Sequence, residues 1–448
     1  MILQRKIFQR ILEWKEHESA YTALLLIGAK RVGKTRTVEE LAYEEYESFL
    51  YIDCGHISEM VRDAFEYHLN DPDSFFMILQ TEYKVTLCPG RSLVVFDNIH
   101  QYPKIRTSIG ALVKYGKYHY IEIADGSFSL NGSEDAKPSD AETLVEMHPL
   151  DFEEFCSALG EKDLLDEIRD CYRNLSPMEE FSHQKALLLF KQYMLVGGMP
   201  QSILAFLEQN RTFSASDNQK RKILDEYREE INLSGIRSKT AIASVFEQIP
   251  TFLSRNEKRI RISNIESSTG SFGHSLSWLK NSMVINESQS CENPADPQAG
   301  SEKAFTKCYL DDTGLLLSHA FSKTEMAEGE IQKQILSGHF SMSEGMLMEN
   351  AIAQCLTASG YKLWFYNRYS EEKHRNDIGI DFIITSKHEN DKIIPIVVKA
   401  SKRYRTAELE RFIGLYGNTI DQAFIIHTNN VVLKGRIVCI PCYMTFCL

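Results

Sequence analysis

The stretch Leu24–Leu41, LLLIGAKRVGKTRTVEEL, decides how the chain is read. It opens on an apolar run, Ala23 to Ile27, of the length and composition of a buried strand. Gly28 ends that run, and Gly28, Gly33, Lys34 and Thr35 stand at the spacing G-x-x-x-x-G-K-[ST]. The residues that follow, TVEELAYEEY, recur at helical spacing, so the motif has a strand before it and a helix after it, as a phosphate-binding loop requires. In such a loop the backbone of Gly28, Ala29, Lys30, Arg31, Val32, Gly33, Lys34, Thr35 and Arg36 wraps the phosphates of ATP. Lys34 neutralises the β and γ oxygens, and the Thr35 hydroxyl is offered to Mg2+.

A loop of this kind needs a second strand ending in an acid that helps hold the metal. SLVVFDNIHQYP, Ser92–Pro103, supplies Asp97. FLYIDCG (Phe49–Gly55) reads as a strand between the two, and YHYIEIADGS (Tyr118–Ser127) as a fourth whose polar end, Asp125 or Ser127, is a candidate γ-phosphate sensor weighed against ordinary turn residues, the reading that turn chemistry favours. The alternation of strand and helix predicts an α/β fold with a parallel sheet. The residue after Asp97 is Asn98, where a catalytic Glu is expected. A Glu can take the proton of an attacking water, whereas an Asn can only orient that water, and loss of a positioned base costs about 10²- to 10⁴-fold in rate. The candidate catalytic set is therefore Asp97, Asn98 and Asp125, with His100 as a substitute base weighed against an ordinary turn histidine. Binding should outlast turnover, and Asn98→Glu should restore hydrolysis.

At 448 residues the chain is too long for one core and suggests three or four domains, at roughly 100–200 residues each. A hydrophobic share of 43% and a charged share of 25% are those of ordinary globular domains. The net charge of −12 excludes a general nucleic-acid coat but not a local basic site. The ten cysteines are scattered except for Cys439 and Cys442, which lie in a terminal apolar strand without a second pair at zinc spacing, so buried thiols are expected. The opening MILQRKIFQRILEWKEHE has Arg5, Lys6 and Arg10 among its apolar positions and does not read as a signal peptide. No run approaches the ~18 apolar residues of a membrane span, so a cytoplasmic protein with no membrane partner is expected.

GAKRVGKT (28–35), VVFDNIHQYP (94–103), HPLDFEEF (148–155), LVGGMPQSI (195–203), KCYLDDTGLL (307–316) and MLMENAIAQCL (346–356) follow one another in this order. The order resembles that of bacterial and archaeal AAA-type P-loop ATPases that carry a C-terminal domain of unknown function. The resemblance implies an ATPase core over 1–150, a helical lid over 151–235, a winged helix over 236–330, and a C-terminal domain over 331–448 resembling PD-(D/E)XK nucleases. Two departures fall in the core: such proteins usually have Glu where this chain has Asn98, and many have an Arg shortly before the PLDFEEF motif, where this chain has none.

Residues 151–234 recur at three and four as helices do, broken sharply at Gly197, Gly198 and Pro200. The candidate recognition helix of the winged segment, Gly273–Ser282, offers His274, Lys280 and Asn281, with Arg255, Lys258, Arg259 and Arg261 upstream. That composition leaves both protein packing and DNA contact open. In the last segment Glu349, Asp381 and Lys399 fill three places of a metal-dependent nuclease site, and Val397 stands in the fourth, where an acid or Gln would help hold the ion. A valine cannot ligate a metal, so the site reads as degenerate, with cleavage lost. The basic run Lys399, Lys402, Arg403, Arg405 stays a candidate phosphate contact.

The leading reading is a nucleotide switch of the AAA ATPase class that binds ATP and Mg2+, hydrolyses weakly, and couples nucleotide state to the winged-helix and nuclease-like domains. The alternatives are a competent ATPase in DNA processing and a nucleotide-free scaffold for protein interaction. A DNA or protein partner is expected in the first two cases. The sequence sets no oligomeric state.

Overall fold

The apolar run Ala23–Gly28 is a strand, β1, and its neighbours set the architecture of the first unit of the chain, residues 2–148 with 281–283. In the computed structural model the described residues are 3–126, 139–233, 238–254, 260–261, 271–297, 305–321, 329–337, 344–370, 375–387, 389 and 392–448. Around β1 the chain forms α1 (Ile7–His17), α2 (Lys34–Glu45), β2 (Ser48–Asp53), α3 (Glu59–Asp63), α4 (Pro72–Tyr83), β3 (Ser92–Asp97), α5 (Lys104–Tyr115), β4 (His119–Asp125) and β5 (Glu142–Met147). The five strands pair in the order β2-β3-β4-β1-β5, all parallel. β1 and β3 read as apolar runs rather than alternating ones because helices cover both faces of such a sheet.

Parallel pairing brings all the strand C-termini to one edge. Gly28 lies opposite Asp125, and Asp53 lies opposite Asp97. Because β4 is inserted between β1 and β3, the glycine loop and Asp97 are separated by one strand whose own last residue is Asp125.

The second unit comprises Pro149–Lys280 and Val284–Leu448. It begins with helices α6 (Phe152–Ala158), α7 (Lys162–Arg173), α8 (Glu180–Val196), α9 (Pro200–Glu208), α10 (Phe213–Leu233) and α11 (Lys239–Ser254), as the helical spacing predicts. There follow β6 (Ile260–Arg261), α12 (Ser271–Asn281), β7 (Ile285–Ser290), β8 (Phe305–Leu310), α13 (Thr313–Ala320), α14 (Glu330–Ser337) and α15 (Glu344–Ala358). The chain ends with β9 (Leu363–Ser370), β10 (Arg375–Thr385), β11 (Ile393–Val398), α16 (Ala407–Tyr416), β12 (Ala423–His427), β13 (Val432–Lys434) and β14 (Ile437–Pro441). Its sheet runs β13-β14-β12-β11-β10-β9-β7-β8-β6. Strands from 236–330 therefore hydrogen-bond into the sheet of the last segment, through the parallel pair β7–β9, and the sheet crosses the boundary at 330. Ser127, Arg255, Lys258 and Arg259 lie outside the described residues, and Arg261 is described in its backbone only.

Three of the motifs read from the sequence meet inside this unit. Leu150 donates its N–H to Gly198 O at 2.8 Å, and Tyr193 OH donates to Leu150 O at 2.9 Å. Asp312, fully buried, accepts from the N–H of Gly198 at 2.5 Å and of Leu315 at 2.7 Å. A methyl group on Gly198 would stand 2.0 Å from Leu150 O, and one on Gly314 2.6 Å from Val196 O, so both positions exclude a side chain. The GGMP, PLDFEEF and YLDDTGLL motifs are thus one backbone junction. Burial pushes the Asp312 carboxyl up to about 6, against the two backbone donors.

In the first unit a second buried charge system carries a stability prediction. Arg106 on α5 donates through Nε to Glu142 Oε1 on β5 at 2.8 Å, with side chains 5% and 1% exposed. Glu122 on β4 is fully buried, and its carboxyl faces that of Glu142. Burial, with the charge of Glu142 added, pushes its carboxyl well above the ordinary range. An acid raised in this way is neutral in the fold, and its ionisation opposes folding once pH exceeds the unfolded value of about 4.3. Glu122→Gln should therefore raise thermal stability, by on the order of 1–3 kcal/mol. The gain should be larger at about pH 8 than at about pH 5. Melting curves at the two pH values check this, and an equal or reversed gain would refute the buried neutral acid.

Candidate functional site

The loop between β1 and α2 shows why its glycines are there. A Cβ on Gly28 would lie 2.4 Å from Met147 O, so the loop can leave the strand only with no side chain at that position. Gly33 adopts φ 102°, a left-handed conformation, as it leads into α2. Ala29 and Val32 are fully buried and anchor the loop, while Arg31 and Arg36 are exposed and Lys30 is half-buried. Arg5 braces it from outside, donating to Val32 O at 2.8 Å and His148 O at 2.6 Å.

Lys34 is 6% exposed and points back over the loop. Its Nζ donates to Gly28 O at 3.0 Å, to Ala29 O at 2.9 Å and to Asp125 Oδ1 at 2.8 Å. Burial acts to raise the Asp125 carboxyl, but the charge and hydrogen bond of Lys34 outweigh it and hold the carboxyl below its ordinary value. Asp125 is therefore an ionised neighbour of Lys34.

One strand further, Asp97 is buried and saturated with donors. Oδ2 accepts from Thr35 Oγ1 and from Tyr51 OH, both at 2.6 Å, and Oδ1 accepts from the Asn98 N–H at 2.7 Å. The Thr35 hydroxyl and Asp97 carboxylate, the pair read from sequence as metal ligands, are thus in direct contact. That donor set fits a hard cation that takes oxygen ligands.

Asn98 has φ 55° and ψ 41°, the left-handed region in which Asn is several-fold enriched among non-glycine residues. Its Nδ2 donates to Asp53 Oδ1 at 2.9 Å. Asp53 also accepts from Gly55 N at 3.0 Å and pairs with His56 Nδ1 at 2.8 Å. Burial acts to raise the Asp53 carboxyl, but the donors from Asn98, His56 and Gly55 hold it below its ordinary value. The expectation that Asn98→Glu restores a base changes accordingly. A Glu at 98 would have to adopt a left-handed backbone, give up the bond to Asp53 and place a further carboxylate beside Asp53 and Asp97. Burial pushes the His100 imidazole below its ordinary value against the pull of Asp125 and Asp97, and its buried Nδ1 has no hydrogen-bond partner.

In the second unit, Glu349 and Asp381 come together around a residue that sequence reasoning missed. Lys307 on β8 is 6% exposed and places its Nζ 3.2 Å from Glu349 Oε1 and 3.7 Å from Asp381 Oδ1. Tyr309 OH donates to Glu349 Oε1 at 2.6 Å, and Val398 N–H donates to Asp381 Oδ2 at 2.8 Å. Burial acts to lower the Lys307 ammonium pKa, yet the two carboxylates raise it. Val397 is 3% exposed and packs in an apolar cluster with Phe412, Ile425 and Trp364. Lys399, just past β11, donates its backbone N–H to Ile426 O, and its ammonium forms no ion pair among the described residues. Among the described residues no group of three His, Cys, Asp or Glu is placed to hold a metal. The cysteines are free thiols, mostly buried, Cys439 and Cys442 among them.

Two sites were thus incompletely legible. Asp53 ends FLYID as Asp97 ends LVVFD, a signal present in the sequence, but only the strand register sets them side by side. Lys307 lies within KCYLDDTGLL, and nothing local relates it to acids about 40 and 75 residues later.

Comparisons with known proteins match three stretches of the chain. Residues 20–156 match an AAA domain family, 187–325 a domain of unknown function (DUF8612), and 344–444 another domain of unknown function (DUF4143). No curated protein matches. Among solved structures, a signal transduction ATPase with numerous domains and a tetratricopeptide repeat sensor from Pyrococcus horikoshii aligns with 12% identity and a TM-score of 0.28. That alignment covers 79% of this chain and 48% of that one, so this chain spans about half its length. PCH-2 of C. elegans aligns with 14% identity, a TM-score of 0.26, and coverage of 48% and 65%. Cdc6p of Pyrobaculum aerophilum aligns with 10% identity, a TM-score of 0.26, and coverage of 75% and 96%. Likeness at this level carries no argument, and the family match with the loop it contains makes the assignment. No helix among the described residues is long and apolar enough to cross a membrane. The chain carries an AAA-type P-loop ATPase domain.

Proposed function

We propose that the protein is a nucleotide switch that binds ATP with Mg2+, hydrolyses it slowly, and passes the nucleotide state to the segment that begins at Pro149. The observation that carries this reading is the contact of Thr35 Oγ1 with Asp97 Oδ2 at 2.6 Å, beside a glycine loop whose lysine is already paired with an anion. The glycine loop would hold the phosphates, Lys34 the β and γ oxygens, and Thr35 with Asp97 the metal. Mg2+ held by Thr35 and Asp97 would neutralise negative charge that develops on the phosphates. Lys34 must exchange Asp125 for phosphate on binding, and the Asp125 carboxylate, left beside the γ-phosphate, makes that end of the site sensitive to how much charge arrives there.

Coupling is supported by Arg5, which joins the loop at Val32 O to the chain at His148 O, the residue before Pro149. A shift of the loop therefore pulls on the point where the ATPase domain hands over to the next segment. The winged-helix reading of 236–330 and the nuclease-like reading of 331–448 belong to the same proposal. The latter is supported by an acid on α15 and an acid on β10 that converge. With Lys307 between them, the centre holds an internal cation in place of a metal, and DNA or protein contact there would occur without cleavage.

Two measurements test this reading. In calorimetry, Lys34→Ala should weaken ATP binding about 10- to 150-fold, the equivalent of about 1.5–3 kcal/mol for hydrogen bonds to a charged group. Equal affinities would refute the nucleotide site. In the second unit, Lys307→Met leaves two carboxylates facing each other, and breaking a buried pair costs about 3–5 kcal/mol. The variant should melt lower and be rescued by Mn2+ or Mg2+, while the wild type is indifferent to both and cuts no DNA. Metal-dependent cleavage by the wild type that disappears in Asp381→Ala would overturn this part and restore a nuclease.

A further inference from the structure

We infer that Asp53 supplies the hydrolytic carboxylate of the ATPase domain, and that Asn98 is the residue that positions it. The inference rests on the proposed nucleotide site and adds the group that acts on water. The carboxylate expected after Asp97 is not lost but has moved to the neighbouring strand.

Three observations point there. Asp53 and Asp97 are the last residues of adjacent parallel strands and lie opposite each other in register, so Asp53 stands one strand from the proposed metal ligand, at the same sheet edge. Asn98 links the two: its N–H donates to Asp97 and its side chain to Asp53, from a left-handed backbone that turns the residue away from the strand direction. The Asp53 side chain is 35% exposed, so water reaches it, whereas Asp97 is buried.

A simpler role accounts for part of this. Asp53 caps the short turn Cys54–His56 through the Gly55 N–H. A cap explains that single bond, but it does not require the Asn98 amide on the same oxygen or His56 on the other. In the proposed role the second oxygen and its imidazole partner form a path for a proton. Water attacks the γ-phosphorus and loses its proton to the Asp53 carboxylate. The bond from the γ-phosphorus to the β–γ bridging oxygen breaks, and ADP leaves with the electron pair. The proton passes through exposed His56 to solvent, so the products are ADP, phosphate and one proton.

His100 is the rival base, since it lies within electrostatic reach of Asp125, Lys34 and Asp97. Phosphate release and binding of a fluorescent ATP analogue, both measured with Mg2+ on the full chain, separate the two. Asp53→Asn should lower turnover about 10²- to 10⁴-fold, the usual worth of a positioned base, with nucleotide affinity unchanged. Asn98→Ala should lower turnover with affinity unchanged, and His100→Asn should leave both near wild type. In the nucleotide-free protein, Asp53→Ala and Asn98→Ala should be non-additive in chemical unfolding, because each removes the same hydrogen bond. Wild-type turnover in Asp53→Asn, loss of turnover in His100→Asn alone, additive unfolding, or a wild type that binds ATP without cleaving it would each overturn the role of Asp53 and leave the nucleotide site standing. A wild type that does not bind ATP would instead remove the site on which the inference rests.

Discussion

The parallel register of one small sheet governs everything else in the ATPase domain. Because β1 to β4 run the same way, their last residues come to one edge, with Gly28 opposite Asp125 and Asp53 opposite Asp97. Three carboxylates on neighbouring strand ends would repel one another. Each is answered by a different set of donors: Lys34 for Asp125, Thr35, Tyr51 and a backbone amide for Asp97, and Asn98, Gly55 and His56 for Asp53. Only Lys34 among these donors is a permanent charge. Lys30 adds a second positive charge near Asp125, and none of these donors to Asp97 is charged.

The glycine loop, Asp97 and the α/β class were legible because each is written within a dozen consecutive residues, where apolar period and turn chemistry act locally. The division into segments was legible only in part. Gly197, Gly198 and Pro200 mark a helix break in the sequence, but that the break is held by Asp312 and Leu150 follows from packing across more than a hundred residues. The strands at 285–290 and 305–310 look like the wing of a separate small domain when read alone. Their edges are completed by β9, a pairing that no local pattern encodes.

Asn98 shows how residue identity can mislead when backbone conformation is unknown. Judged by chemistry alone, an amide in place of a carboxylate is a loss. At φ 55° the position selects for residues that tolerate a left-handed backbone, and Asn does so while its side chain reaches a neighbour. The strand end is a place where the chain must turn sharply, and the demand of the turn competes with the demand of catalysis for the same residue. If the carboxylate can be supplied from β2, both demands are met by different residues.

The two acid pairs of the chain show the same problem with opposite solutions. Glu349 and Asp381 are answered by Lys307, an ammonium from the chain itself, buried with them and further surrounded by the rings of Phe365 and Phe382. A covalently attached cation has no entropy of association to overcome and cannot dissociate. Asp53 and Asp97 have no such internal cation. Lys34 at that edge is directed to Asp125, one strand away, and the Thr35 hydroxyl that contacts Asp97 is neutral. One acid pair is therefore answered by a buried ammonium, whereas the other is answered by hydroxyl, amide and imidazole donors.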